Sequence, residues 1–477
     1  MDKKINMYVP WLLLAVLLSV GLNGIGRQLW FDEALTIIEF ASLPSLTDIY
    51  RQYNIPNNHI LYTMMLNLWA EGCYALTGTM PDIFYRLPSL IFSAGSVAII
   101  CFCWKKRLGG TTAFAAALAL TVSLPFILYA LAVRGYAMSF FTILCAFEFA
   151  VRLNRGRMLY ALWYFLAALA AVGTVPSNLL AFAALTLYLA PGKFRRLFSV
   201  SFILTAILPL IAFIVFYLPI WTKLMHNFDL KEGWHNHWHG AGVVYFAYAW
   251  SLLPLIIIAL YGIGRIIRRH GVSMPLLWKL LPFMIPLPLV LLDVYPFPRV
   301  MLCLWPVWLY ATARGVKYSL NLFATMENRQ IWIFKTTILL LSILLLWGAF
   351  GQYSARYVSR AMVCASGYND HLFSPYYVED YDPAGTEELT RNAPGKVFIS
   401  FTADRYPLIF YAFTRGADHR RFIFNAGGTK VEKLKNGTIV ILSKYDDATE
   451  FAQNYNLSEL RLIKEHGYHR IYMAVNN

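Results

Sequence analysis

The chain has 477 residues, of which 58% are hydrophobic and only 14% charged, with a formal net charge of +15. A soluble chain of that length would need a core out of proportion to its polar surface, which excludes a water-soluble globular protein. The basic excess is not a nucleic-acid footprint either. The Lys and Arg residues sit in short clusters between apolar runs, the pattern of cytoplasmic loops in a membrane protein.

The first apolar run, Tyr8 to Gly26, follows Met1-Asp2-Lys3-Lys4 and lacks a small-residue cleavage site, so it is a retained anchor with a cytoplasmic N-terminus. The runs 60–78 and 84–104 come next, and then the basic cluster Lys105-Lys106-Arg107. If all three runs crossed the membrane, that cluster would face outward, against the charge rule. Residues 59–78 are therefore expected to form an interfacial or re-entrant helix on the outer side, which suits Glu71 and Gly72 within it.

Further spans are expected at 111–131, 133–151, 158–175, 178–190, 197–220, 241–264, 277–294, 299–316 and 331–350. They return Arg152, Arg155 and Arg157, then Lys193, Arg195 and Arg196, then Arg265, Arg268 and Arg269, and finally Arg314 and Lys317 to the inner face. The chain so read is a polytopic α-helical membrane protein of about 11 spans, with residues 1–350 as its membrane domain and 27–83 as an outer first loop. Residues 351–477 change in composition and read as a small extracytoplasmic α/β domain. A strand is expected in Lys396 to Thr402, a helix start at Pro407 and a hairpin turn at Asn436-Gly437. The six cysteines (Cys73, Cys101, Cys103, Cys145, Cys303, Cys364) make neither a disulfide framework nor a zinc-ligand spacing.

On this topology, charged residues from separate stretches reach the outer membrane boundary: Asp32 and Glu33, His59, Arg86, Arg134, and the pair Asp293 and Arg299. Such groups cost a few kcal/mol each near hydrocarbon, so several at one depth point to a shared polar cavity. A carboxylate there can take a proton from a hydroxyl, and arginines can hold a phosphate through forked, charge-assisted bonds. Each also has a plainer reading. Asp32 can cap a helix starting at Ala34, and Arg86 and Arg299 can be snorkelling anchors. Arg134 sits in what reads as a two-residue turn, where an anchoring role explains little, and Glu148 reads as a structural partner of Arg152 four residues on. In the loop after the 197–220 run, His235, His237 and His239 alternate and would share one face of an extended segment. They suit either a metal or phosphate site or an aromatic interface belt, the belt or a substrate-contact loop being preferred.

The order of these features resembles the GT-C superfamily of membrane glycosyltransferases, in the branch of protein O-mannosyltransferases and the lipid A aminoarabinose transferase. The resemblance rests on Trp30-Phe31-Asp32-Glu33, on Asn58-His59-Ile60-Leu61-Tyr62 without the family's prolines, and on Arg86-Leu87-Pro88-Ser89. Ser123-Leu124-Pro125 leading to Arg134-Gly135-Tyr136, and Arg299 followed by Leu302 and Pro306, complete it. It implies a glycosyltransferase that takes its sugar from a polyprenyl-phosphate donor and passes it to a lipid, glycan or protein acceptor outside the cytoplasm, in a bacterial inner membrane. Asp32 would be the base, supported by Glu33. His59, Arg86, Arg134, Tyr136, Asp293 and Arg299 would serve the lipid phosphate. No cofactor is implied beyond a divalent metal, whose need the residues leave open, and no nucleic-acid partner. A transporter or flippase of lipid-linked sugars is the rival reading, and it would favour mid-membrane charges and repeated halves.

Overall fold

The computed structural model describes residues 8–323 and 382–475, except 9, 16, 19–24, 27, 57, 122, 193, 230–236, 292–297, 393–394, 401–402, 404, 417–420, 424–433 and 445. The expected span 331–350, Asp293, His235 and Cys364 lie outside the described residues. Two compact units emerge. One holds the described residues up to Ile25 and from Pro44 to 323; the other joins Gly26–Leu43 to residues 382–475.

The first unit is helical. Among the described residues, Asp82–Leu108, Tyr136–Leu153 and Val200–Asn227 are long and apolar enough to cross a membrane, and Gly110–Thr121, Tyr160–Thr174, Pro176–Leu189 and Met274–Met284 are shorter apolar helical stretches. Tyr160–Thr174 packs against both Tyr136–Leu153 and Val200–Tyr217, and His237–His270 packs against Trp305–Phe323. Polar side chains join these helices where apolar packing alone gives little specificity. The Asn154 amide donates to Thr205 Oγ1 at 2.9 Å, and the Tyr164 hydroxyl donates to the Thr205 carbonyl at 2.9 Å. The Ile60–Thr77 helix ends at Gly78, whose φ of +70° closes a left-handed cap, and it doubles back along Asp82–Ile99 through Trp69 Nε1, which donates to the Phe84 carbonyl at 2.8 Å.

Proline chemistry breaks two of the expected spans. The 111–131 run divides into Gly110–Thr121 and Leu124–Ala130, because Pro125 has no N–H to continue the ladder and opens the second piece instead. Residues 131–135 are then irregular, so Arg134 sits in a longer non-helical segment than the two-residue turn read from the sequence. The 277–294 run becomes Met274–Leu280, Leu281–Met284 and Pro286–Leu291, with Pro282 and Pro286 at the junctions. Glu148 pairs with Arg107 and not with Arg152, which donates to the Tyr160 hydroxyl at 3.1 Å.

The second unit carries a five-stranded sheet of β1 (Val397–Ile399), β2 (Phe422–Ile423), β3 (Ile439–Ser443), β4 (Glu459–His466) and β5 (His469–Val475), in the order β2-β1-β3-β5-β4. β1 runs parallel to β2 and β3, while β5 is antiparallel to β3 and β4. The central β3 is buried throughout and apolar from Ile439 to Leu442, because both of its faces are covered. Val440 and Leu442 pack with Phe398, Tyr472 and Phe451 on one face, and Ile439 and Ile441 pack with Leu408 and Ile471 on the other. Pro407 lies in the first turn of the Arg405–Thr414 helix, where its missing N–H costs nothing. Asn436-Gly437 does form a turn, with Gly437 at φ +81°, but the described hairpin is the β4–β5 pair, turned at Gly467 with φ +56°. A two-residue turn signal marks a reversal and does not say which strands then pair.

Candidate functional site

In the first unit, two of the sequence motifs build one polar junction around the irregular segment 131–135. The Tyr62 and Ser89 hydroxyls lie 2.9 Å apart, and Ser89 Oγ donates to the Ala132 carbonyl at 2.6 Å. The segment carrying Arg134 is thus fastened to the Ile60–Thr77 and Asp82–Ile99 helices. His59 stands just before the first of these helices, in a turn held by the Asn58 amide, which donates to the Gln52 carbonyl at 2.7 Å.

His59 and Arg134 meet within this junction, and both are buried. The Gly135 amide donates to His59 Nδ1 at 2.8 Å. A backbone N–H can only donate, so Nδ1 is the acceptor and the proton of the neutral ring sits on Nε2. Burial, with the charges of Arg134 and Arg299 adding to it, pushes the His59 pKa well below its ordinary value and keeps the ring neutral. Arg134 Nη2 lies 3.3 Å from His59 Nε2. Both are donors, so an acceptor oxygen seated between them would receive two hydrogen bonds. Tyr136 completes the group: its ring stands edge-on to His59 at 4.8 Å, and the Arg134 guanidinium lies 5.9 Å from the ring centre. Next to Tyr136 is a cavity lined by Phe126, Phe140, Leu302 and Trp305.

Gly135 is required by close approach. Its φ of −69° suits any residue, but a Cβ there would meet Thr174 Cγ2 at 2.5 Å and His59 Nδ1 at 2.9 Å. The sequence motif contains this glycine without indicating that role. Arg299 is buried in the Pro298–Leu304 segment, close enough for its charge to act on His59. Arg86 is fully buried and donates to the Ile25 carbonyl at 2.8 Å. It therefore also fastens the end of the first apolar run.

Asp32 and Glu33 belong to the second unit. Asp32 lies inside the first turn of the Phe31–Leu35 helix, whose N-cap is Trp30, so it does not cap a helix starting at Ala34. Glu33 is fully buried, and its carboxylate accepts from the Trp30 amide at 3.2 Å. That bond satisfies one of the open amides of the helix start. Leu29 N donates to the Tyr411 hydroxyl at 2.9 Å, and Phe31 stands edge-on to Tyr406 at 5.1 Å. The Asp-Glu segment is thereby seated on the Arg405–Thr414 helix.

Of the three alternating histidines, His235 lies outside the described residues. His237 and His239 lie in the His237–His270 helix. Among the described residues, no group of three or more His, Cys, Asp or Glu side chains could hold a metal ion.

No family model matches the chain, and no curated protein matches it in sequence. Solved structures do match. ArnT from Cupriavidus metallidurans in the apo state aligns at a TM-score of 0.54 with 13% identity, covering 97% of this chain and 97% of ArnT. The same protein bound to undecaprenyl phosphate aligns at a TM-score of 0.53 with 14% identity and the same 97% coverage of each. The chain therefore has the fold of these ArnT structures, a helical fold with a C-terminal sheet domain.

Proposed function

We propose that this protein is a glycosyltransferase of the inner membrane that moves a sugar from a polyprenyl-phosphate donor to an acceptor on the extracytoplasmic face. The observation that carries the reading is the pair of buried donors, His59 Nε2–H and Arg134 Nη2, held 3.3 Å apart by the Gly135 bond to the other side of the imidazole. Two neighbouring donors suit a phosphate oxygen better than a sugar hydroxyl, because the phosphate only accepts and carries charge. The apolar lining beside Tyr136 suits the start of an isoprenoid chain. The ArnT fold, seen with undecaprenyl phosphate in one structure, supports the same class of donor.

In the proposed reaction the acceptor oxygen attacks the anomeric carbon and gives its proton to Asp32, the base assigned by the sequence resemblance. The carbon–oxygen bond to the lipid phosphate breaks with inversion, and the bonding pair stays on the phosphate. Arg134, Arg299 and the His59 N–H stabilise the charge that develops there. Arg86 and Asp293 remain assigned to the phosphate region, and Glu33 supports Asp32 by fixing its helix. The acceptor, a lipid, a glycan or a protein, is a hydroxyl or phosphate carrier in the cell envelope. The test is complementation. A strain lacking the gene loses one mass feature from its envelope lipids or glycans and accumulates a lipid-linked sugar. The wild-type gene reverses both, and Asp32→Asn reverses neither while its protein persists in the membrane. Full reversal by Asp32→Asn would sink the assignment.

A further inference from the structure

The segment that carries Asp32 is gripped by groups from the far end of the sequence. Asp382 accepts from the Gln28 side-chain amide, and the other half of that amide, Gln28 Oε1, accepts from the Ala384 backbone at 2.9 Å. Gln28 is thus engaged at both ends by the first turn of the Pro383–Arg391 helix. Asp382 caps that helix by accepting from Gly385 N at 2.9 Å, and its second oxygen lies 2.8 Å from His466 Nε2 at the end of β4. Burial alone would raise the Asp382 pKa, but the bonds from Gln28, Gly385 and His466 outweigh it and hold the carboxylate below its ordinary value.

The helix that provides this grip is itself fixed. His469 Nδ1 lies 2.9 Å from Thr386 Oγ1, and His469 Nε2 donates to the Ala403 carbonyl at 3.0 Å, just before the Arg405–Thr414 helix. Arg415, at the far end of that second helix, donates to the Ala384 carbonyl at 2.9 Å and pairs with Glu387 at 3.2 Å. Both helices hold the same short segment, one through Gln28 and the other through Leu29 and Phe31.

We infer that Gln28, Asp382 and His466 form a clamp by which the C-terminal domain positions the Asp32 helix for transfer, so that the domain is a working part of the enzyme. The inference rests on the assignment of Asp32 as base. Gln28 and Asp382 are positioning residues in it, acting through the Phe31–Leu35 helix.

The test uses the full-length chain in lipid nanodiscs. Gln28→Glu sets a carboxylate against the Asp382 carboxylate and opens the clamp. Adding Asp382→Asn restores the bond to position 28 with donor and acceptor exchanged: the asparagine NH2 takes the place of the oxygen that faced Gln28, its own oxygen accepts from His466, and only the Gly385 cap bond is given up. For Gln28→Glu, amide exchange over residues 28–36 should quicken at least tenfold. The envelope product in the complemented strain should fall at least tenfold, while the Kd for undecaprenyl phosphate stays within twofold of wild type. The double variant should restore both exchange and product. Gln28→Ala serves as a second opening variant if Gln28→Glu fails to accumulate. Unchanged exchange and product in the opened variants, or no recovery in the double variant, would overturn the clamp. A fully active Asp32→Asn control would instead overturn the base assignment, leaving the exchange measurement to judge the clamp alone.

Discussion

Gly135→Ala isolates the geometry of the proposed phosphate site, because the backbone there already has φ −69° and ψ −1°, which alanine adopts freely. Any effect must come from the added methyl. It would lie 2.5 Å from Thr174 Cγ2 and 2.9 Å from His59 Nδ1, so with ordinary contact starting at 3.4 Å the threonine methyl must yield by about 0.9 Å and the imidazole by about 0.5 Å. Overpacking on this scale costs about 1–3 kcal/mol, and losing the amide bond that fixes the His59 tautomer costs about 1 kcal/mol more. If about 2 kcal/mol of this falls on the bound state, affinity for undecaprenyl phosphate drops about thirtyfold. The assay is titration of the purified variant in nanodiscs. Gly95→Ala is the control, since its Cβ would strike the Phe141 ring at 2.7 Å and load the first unit with a comparable clash. Gly95→Ala should lower thermal stability and leave the Kd unchanged. A wild-type Kd for Gly135→Ala, or equal losses in both variants, would rule out Gly135 as the residue that sets the His59 geometry.

Arg134→Lys keeps the charge and removes the planar fork, and should weaken undecaprenyl phosphate binding about tenfold; an unchanged Kd would reduce Arg134 to a point charge. His469 is buried in the C-terminal domain, and burial pushes its pKa down to about 4. The unfolded chain, with a pKa near 6.5, binds the proton more readily, so this stability is complete above about pH 6.5 and about 3 kcal/mol of it is lost as the pH falls toward 4. Pulse proteolysis of the full-length chain should show residues 382–475 becoming susceptible over that interval, with a flatter profile in His469→Gln; identical profiles would rule His469 out. In a cysteine-free background, Met80→Cys should react with an impermeant thiol reagent added outside, and labelling from the cytoplasm alone would reverse the orientation of the Asp82–Leu108 helix.

Apolar runs long enough to cross hydrocarbon are visible in any sequence, and the helices Tyr160–Thr174, Leu179–Leu189 and Val200–Tyr217 fall where those runs lie. Hydropathy says less about where a run breaks. The prolines at 125, 282 and 286 leave mean hydropathy high while removing ladder donors, so the breaks near 122 and 281 pass unseen in a sliding window. The gathering of His59 with Arg134 was readable from the motifs. The reason Gly135 must be glycine was not, because it depends on Thr174, a residue from another helix. Glu148 shows the limit of local pairing rules: Arg152 is at the favourable spacing, yet Arg107, 41 positions earlier, takes the carboxylate. The contact between Gln28 and Asp382 spans 354 positions, and no period or spacing in one sequence encodes it.

In the proposed function, buried donors at His59 and Arg134 receive a polyprenyl phosphate. Its most direct test is titration of the full-length protein with undecaprenyl phosphate, followed by native mass spectrometry, for wild type and for Arg134→Ala with His59→Phe. The wild-type chain should retain one lipid phosphate, and the double variant should retain it at least a hundredfold more weakly. Equal retention by both, or none by the wild type, would contradict that function.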